Sequence, residues 1–112
     1  MHIVYTAEIG DEEVAKLTIE TLSKVIPVDC AGVVFLSGGQ DPIVATRRLN
    51  EIVKHDETLW PMSFSFERAL ENKVMETWKG NDENWQKAQE TLVYRARMNA
   101  LAVKGEYRGE DL

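Results

Sequence analysis

The sequence predicts an α/β protein on three observations. Helical and strand-like patterns alternate as helix–strand–helix–strand–helix–helix, the order of that class. Ala31-Gly32-Val33-Val34-Phe35-Leu36 is a short, unbroken run rich in β-branched residues, which reads as a strand covered on both faces, as in a parallel sheet. Trp60-Pro61-Met62-Ser63-Phe64-Ser65-Phe66 alternates apolar and hydroxyl side chains, as a strand with two different faces does.

Residues 1–7 hold Ile3, Val4 and Tyr5, which suit a short strand or an ordered lead-in segment equally. Gly10-Asp11-Glu12-Glu13 reads as a helix start, because acidic side chains stabilise the positive end of the helix dipole. Val14, Leu17, Thr18, Leu22, Val25 and Ile26 then fall near a 3.6-residue period and predict one apolar face, ended by Pro27. The first strand stops at Ser37-Gly38-Gly39-Gln40, and Asp41-Pro42 is an N-cap followed by a first-turn proline. Ala45, Leu49, Ile52 and Val53 form the inward stripe of that helix. After the second strand, Leu70, Val74, Met75 and Trp78 share one side of a helix that Gly80 stops. Asn81 or Asp82 caps a last long helix, with Trp85, Ala88, Leu92 and Ala96 recurring every three or four residues. Residues 104–112 are polar and read as a frayed tail.

Composition narrows the function classes. The net charge is −6 and the pI about 4.9, so nucleic-acid backbones and anionic membrane surfaces are repelled overall, although a local site for a small anion is not. Cys30 is the single cysteine, which rules out an internal disulfide scaffold. Residues 1–10 have neither the basic start nor the apolar run of a signal peptide, and no stretch approaches the roughly 20 apolar residues of a bilayer span. A cytoplasmic protein is the expectation.

Two strands that each ask for cover on both sides make a poor independent sheet. A (β/α)₈ barrel supplies that cover from its other strands and helices. Residues 1–112 are therefore expected to be part of a larger unit.

Two segments carry chemistry. Leu36-Ser37-Gly38-Gly39-Gln40 ends a strand with paired glycines, whose N–H groups can converge on an anion beside the Ser37 hydroxyl. Ser65-Phe66-Glu67-Arg68-Ala69-Leu70 turns from strand into helix, where the first-turn amides and a bidentate Arg68 can hold a phosphate. On neighbouring strands both would share one rim, where barrel enzymes often bind phosphate. Each has an ordinary reading too. A Ser-Gly-Gly turn is usually only a turn, and a first-turn arginine usually only a solvated residue. Phe64, Phe66, Trp78 and Trp85 read as core, Cys30 as a small packed hydrophobe, and Asp11-Glu12-Glu13 as a helix start and not a metal site. His2 and His55 have no second ligand at metal spacing, so no metal or catalytic role is assigned to either.

In combination these segments resemble the class I, Schiff-base-forming fructose-bisphosphate aldolases. The resemblance lies in Gly32-Val33-Val34-Phe35-Leu36-Ser37-Gly38-Gly39-Gln40, Leu49-Asn50-Glu51-Ile52 and the run from Trp60 to Leu70, in that order and spacing. It continues through Trp78-Lys79-Gly80, Glu83-Asn84, Ala88-Gln89, Arg95-Ala96 and Asn99-Ala100-Leu101-Ala102 to Gly105-Glu106-Tyr107. The resemblance implies the C-terminal portion of an aldolase (β/α)₈ barrel, its last two strands with their helices plus C-terminal helices, in a cytoplasmic lyase of glycolysis that is usually homo-oligomeric and uses no metal or cofactor. It implies reversible cleavage of fructose 1,6-bisphosphate into dihydroxyacetone phosphate and glyceraldehyde 3-phosphate. In that chemistry a lysine Schiff base serves as electron sink while carboxylates and another lysine move protons. Ser37, Gly38 and Gly39 match the loop that contacts a substrate phosphate, Arg68 matches the arginine that pairs with it, and Ser65 stands in the motif just before.

The sequence departs from the family pattern in three places. Glu67 stands where the family usually has glycine, and a carboxylate aimed at the ligand would repel it. The Schiff-base lysine belongs on the strand before this portion, and residues 1–10 contain no lysine. Lys16, Lys24, Lys54, Lys73, Lys79 and Lys87 fall in helices or at their edges, so none is assigned as a replacement and no catalytic residue is named. The sequence also stops soon after Tyr107, without the longer C-terminal arm of many relatives. The chain alone is thus expected to be inactive. The alternative is a non-catalytic half-barrel interaction module that closes its open strand edges as a homodimer.

Overall fold

The computed structural model describes residues 10–56, 58 and 60–110. The open choice over residues 1–7 lies outside them. The elements of the described residues follow the predicted order: α1 (Asp11–Val25), β1 (Val33–Phe35), α2 (Pro42–Lys54), β2 (Met62–Phe64), α3 (Arg68–Trp78), a 3-10 turn (Asp82–Asn84) and α4 (Trp85–Val103).

Local signals set most boundaries. The Asp41 carboxylate accepts from the N–H groups of Ile43 (3.1 Å) and Val44 (3.3 Å), satisfying two donors that a helix start leaves without partners, and Pro42 occupies the first turn. At the end of α3, Lys79 and Gly80 both take positive φ, 56° and 68°, and the chain turns there. Asn81 then accepts from Glu83 N–H at 2.9 Å and starts the turn into α4. The acidic start of α1 has a second consequence: Asp11 pairs with Arg47 and, at 3.4 Å, with Arg48, tying α1 to α2.

β1 and β2 are parallel neighbours in the register Val33↔Met62, Val34↔Ser63 and Phe35↔Phe64. Val33 N–H donates to Pro61 O (2.9 Å) and Ser65 N–H to Phe35 O (2.8 Å), continuing the ladder past both ends of strands shorter than the sequence runs suggest. Two apolar clusters meet at Phe35 and Val53. One joins Ala15 of α1 to Ile52, Trp60 and Met62; the other joins Ala45 and Leu49 of α2 to Phe66, Ala69, Ala102 and Tyr107. The Trp60 indole N–H reaches Pro27 O at 2.9 Å, so this large ring buries its polar edge satisfied. Cys30 packs against the first cluster, as expected of it.

Several expected faces are corrected. Val34 is 59% exposed, so among the described residues the sheet has cover for one face and not for both. On α1, Leu17 and Val25 face solvent, while Ala15, Ile19, Leu22 and Ile26 pack inward. Met75 of α3 is exposed. On α4, Trp85 (57% exposed) and Leu92 lie outside, so Trp85 is not core; the buried residues are Ala88, Arg95, Asn99 and Ala102. A face of small and hydrogen-bonding residues allows close helix approach, and its polar members bond to α2, although Arg95 Nε has no hydrogen-bond partner among the described residues. Arg95 Nη2 donates to Pro42 O (3.0 Å) and Thr46 Oγ1 (2.6 Å), and the Thr46 hydroxyl lies 2.6 Å from Asn99 Oδ1.

The tail is not frayed over residues 104–110. Gly105, at φ 71°, turns the chain out of α4, and Glu106 N–H returns to Leu101 O at 2.9 Å. Tyr107 is buried and its N–H donates to Asn50 Oδ1 at 3.0 Å. Glu110 ion-pairs with Arg95, both side chains being fully buried.

Candidate functional site

The parallel register brings the loops after β1 and β2 out at one edge. Beyond β1, Ser37 O accepts from Gln40 N–H at 3.1 Å, closing a turn in which Gly38 and Gly39 take φ of 61° and 81°. Side chains other than hydrogen rarely adopt that left-handed region, so the paired glycines are a requirement of this turn. Beyond β2, the chain enters α3 at Arg68 with Glu67 as its N-cap. No side chain caps this helix start, unlike that of α2, and its first amides remain available to a ligand.

The two loops touch. A Cβ built on Gly39 would stand 3.3 to 3.5 Å from the Arg68 guanidinium, so the arginine lies directly over the glycine. Between the loops is a cleft of about 280 Å³ lined by Ser37, Gly38, Ser65, Glu67 and Arg68, with Leu36 and Phe66 as its apolar part. Of the sequence-predicted site residues, Ser37, Gly38, Ser65 and Arg68 line this cleft, and Gly39 contributes through its contact with Arg68. Ser37 is buried, whereas Ser65 and Arg68 are exposed. Among the described residues no carboxylate pairs with Arg68, so its fork is not already occupied.

The cleft offers donors: a guanidinium, two hydroxyls and helix-start amides. That set suits an oxyanion the size of a phosphate group. No lysine or histidine lines it, and the described residues contain no group of three or more His, Cys, Asp or Glu that could hold a metal ion. Lys16, Lys24, Lys54, Lys73 and Lys87 lie within helices and Lys79 at a helix end.

Shifted titrations lie away from the cleft. Burial pulls the Arg95 guanidinium below its usual range and pushes the Tyr107 phenol up, with Arg95 drawing that phenol partly back. The hydrogen bond to Asp11 raises Arg47, and Lys16 lowers Glu12. The Arg95–Pro42 bond and the Asp11–Arg47 tether leave no local mark in the sequence, because each joins residues more than thirty positions apart. Nor does the sequence mark an apolar cavity of about 140 Å³ between α1, β1 and α2, whose walls include Thr18, Gln40 and Arg48.

A ligand-sized cleft at the carboxyl ends of parallel strands is the usual position of a binding site in α/β proteins. Residues 4–112 match the family model described as glycolytic fructose-bisphosphate aldolase class-I, and the chain belongs to that family. It is 43% identical over 100 residues to a fructose-bisphosphate aldolase of Dictyostelium discoideum, covering 89% of this chain and 28% of that one. It is 44% identical over 98 residues to the chloroplastic fructose-bisphosphate aldolase 1 of Pisum sativum, covering 88% of this chain and 27% of that one. The chain thus spans less than a third of the length of these relatives. Among solved structures it resembles the fructose-bisphosphate aldolase of Plasmodium falciparum crystallised with TRAP and a small-molecule inhibitor. The TM-score is 0.89 at 43% identity, over 94% of this chain and 30% of that one. This likeness places the chain with the aldolases' (β/α)₈-barrel fold.

Proposed function

We propose that this chain is the phosphate-binding rim of a class I fructose-bisphosphate aldolase, holding a sugar phosphate such as fructose 1,6-bisphosphate or dihydroxyacetone phosphate. The observation that carries this reading is the seat of Arg68 over Gly39 at the mouth of a cleft that Ser37, Gly38 and Ser65 also line. Arg68 supplies the charge and the fork, Ser37 and Ser65 supply hydroxyl donors, and Gly38 and Gly39 let the backbone come close. β1 and β2 serve in this reading as the last two strands of the barrel, and the protein is cytoplasmic. The lyase chemistry needs a Schiff-base lysine, and no lysine lines the cleft. The chain alone is therefore a binder and not a catalyst.

A cleavage assay tests this directly. Purified chain should leave fructose 1,6-bisphosphate intact, and activity should appear when the preceding barrel segment of a relative is supplied. Turnover by the chain alone would overturn the division of labour.

A second reading is supported by the exposure of Val34 (59%) and Leu36 (75%), apolar groups on and just beyond a strand of a two-stranded sheet. A non-catalytic module could cover them in a homodimer. Light scattering separates the two: a compact dimer that binds no sugar phosphate favours the module.

A further inference from the structure

The apolar cavity of about 140 Å³ between α1, β1 and α2 is separate from the phosphate cleft, with Leu36 and Phe66 as the wall the two share. Phe35, Ala45, Leu49 and Ile52 supply much of its lining, and the exposed Leu36 and Gln40 give it a mouth to solvent. An engineered apolar cavity of about 150 Å³ in another protein takes up benzene, so this volume suits one aromatic ring.

One charged side chain belongs to the wall. Arg48 shares a face of α2 with Ala45, Leu49 and Ile52, to which it is related by steps of one helical turn. Its guanidinium meets Asp11, which shares a face of α1 with Val14 and Thr18, both also in the wall. The charge is thereby held at the Asp11 end of the cavity, on a side chain only 17% exposed. Asp11 leaves most of its donors free. Arg47 engages both Asp11 oxygens, whereas Arg48 meets Oδ1 through Nε alone, at 3.4 Å. The two terminal amino groups of Arg48 have no hydrogen-bond partner among the described residues. A single carboxylate shared by two guanidinium groups does not neutralise both, and a planar guanidinium can take a further carboxylate. We propose that this cavity binds a small aromatic carboxylate of the benzoate class. The ring lies among the apolar side chains and the carboxylate on the terminal amino groups of Arg48. Burial of the ring supplies the attraction, and Arg48 supplies the preference for an anion. Arg68 is not part of this site, so the inference stands apart from the phosphate reading.

The test titrates benzoate, and benzyl alcohol as an uncharged ring of similar size, into the full 112-residue chain. The methyl resonances of Val14, Leu49 and Ile52 report the site, because a ring seated beside them shifts all three. Benzoate should bind about tenfold more tightly than benzyl alcohol, the low end for hydrogen bonds to a charged group. Arg48→Met keeps an unbranched stem, leaves Asp11 to Arg47, and should bring benzoate down to the level of benzyl alcohol. Arg68→Ala should change neither. Val14→Phe fills the α1 side of the cavity and should stop both ligands; if that variant does not fold, the Arg48→Met comparison decides alone. Equal affinities for the two ligands in the parent chain would overturn the inference, as would the lack of a saturable shift with either. A benzoate response lost in Arg68→Ala but kept in Arg48→Met would put the anion in the phosphate cleft and overturn it as well.

Discussion

At the scale of single residues, the two glycines of the β1 loop separate backbone strain from contact. Gly38 and Gly39 both hold positive φ, yet a Cβ at Gly38 meets nothing within 4 Å while one at Gly39 meets the Arg68 guanidinium at 3.3 Å. Gly38→Ala and Gly39→Ala should each cost about 1–2 kcal/mol of stability from the left-handed backbone alone, read by urea unfolding. Only Gly39→Ala should also displace Arg68 and so lower sugar-phosphate affinity beyond the Gly38 variant. Equal affinities in the two would show that the Arg68 seat is irrelevant to binding. Tyr107 makes a different prediction. Burial raises its phenol above the ordinary value of 10.0, so the unfolded chain gives up that proton first. The associated stability is fully present below the unfolded value and is lost as pH climbs through it towards the raised folded value. Tyr107→Phe should blunt the alkaline fall in stability measured by urea melts from about pH 9 to about pH 11; an identical fall would place its origin elsewhere.

At the scale of elements, the decisive contact is polar. α4 meets α2 through Arg95, Thr46 and Asn99, all fully buried, and the tail closes over them with Glu110. Removing one member of a buried ion pair leaves the other charge stranded. Arg95→Met should therefore cost about 3–5 kcal/mol, and the Arg95→Met, Glu110→Gln double variant much less than the sum of its two singles. Additive losses in denaturant unfolding would contradict the pair. This interface also marks where sequence reading stopped. Signals contained within a few residues were legible: the Asp41-Pro42 helix start, the β-branched run of β1, the Gly80 stop and the loop ends that meet in the cleft. The inward face of α4 was not, because periodicity weighs large apolar side chains. Of the expected stripe Ala88 is buried, but Trp85 and Leu92 lie outside, and hydrogen-bonded polar groups complete the packing with Ala102. The tail read as frayed for the same reason, since its anchors at Asn50 and Arg95 lie far back in sequence.

At the scale of the whole molecule, the two-stranded sheet of the described residues, open on one face among them, carries a cleft on its rim. Ser37, Gly38, Ser65 and Arg68, singled out by the sequence motifs, line that cleft; the contact of Arg68 with Gly39 is visible only in three dimensions. On the proposed reading this rim binds sugar phosphate without the rest of a barrel around it. Thermal unfolding of the chain with and without millimolar fructose 1,6-bisphosphate, with Arg68→Ala alongside, tests it most directly. Ligand at 100 times its dissociation constant adds about 2.7 kcal/mol to stability, a shift of at least several degrees for a domain of this size. The expected result is an upward shift that disappears in Arg68→Ala; a cooperative transition that the ligand leaves in place, or an equal shift in the variant, would rule out a rim that binds in this way.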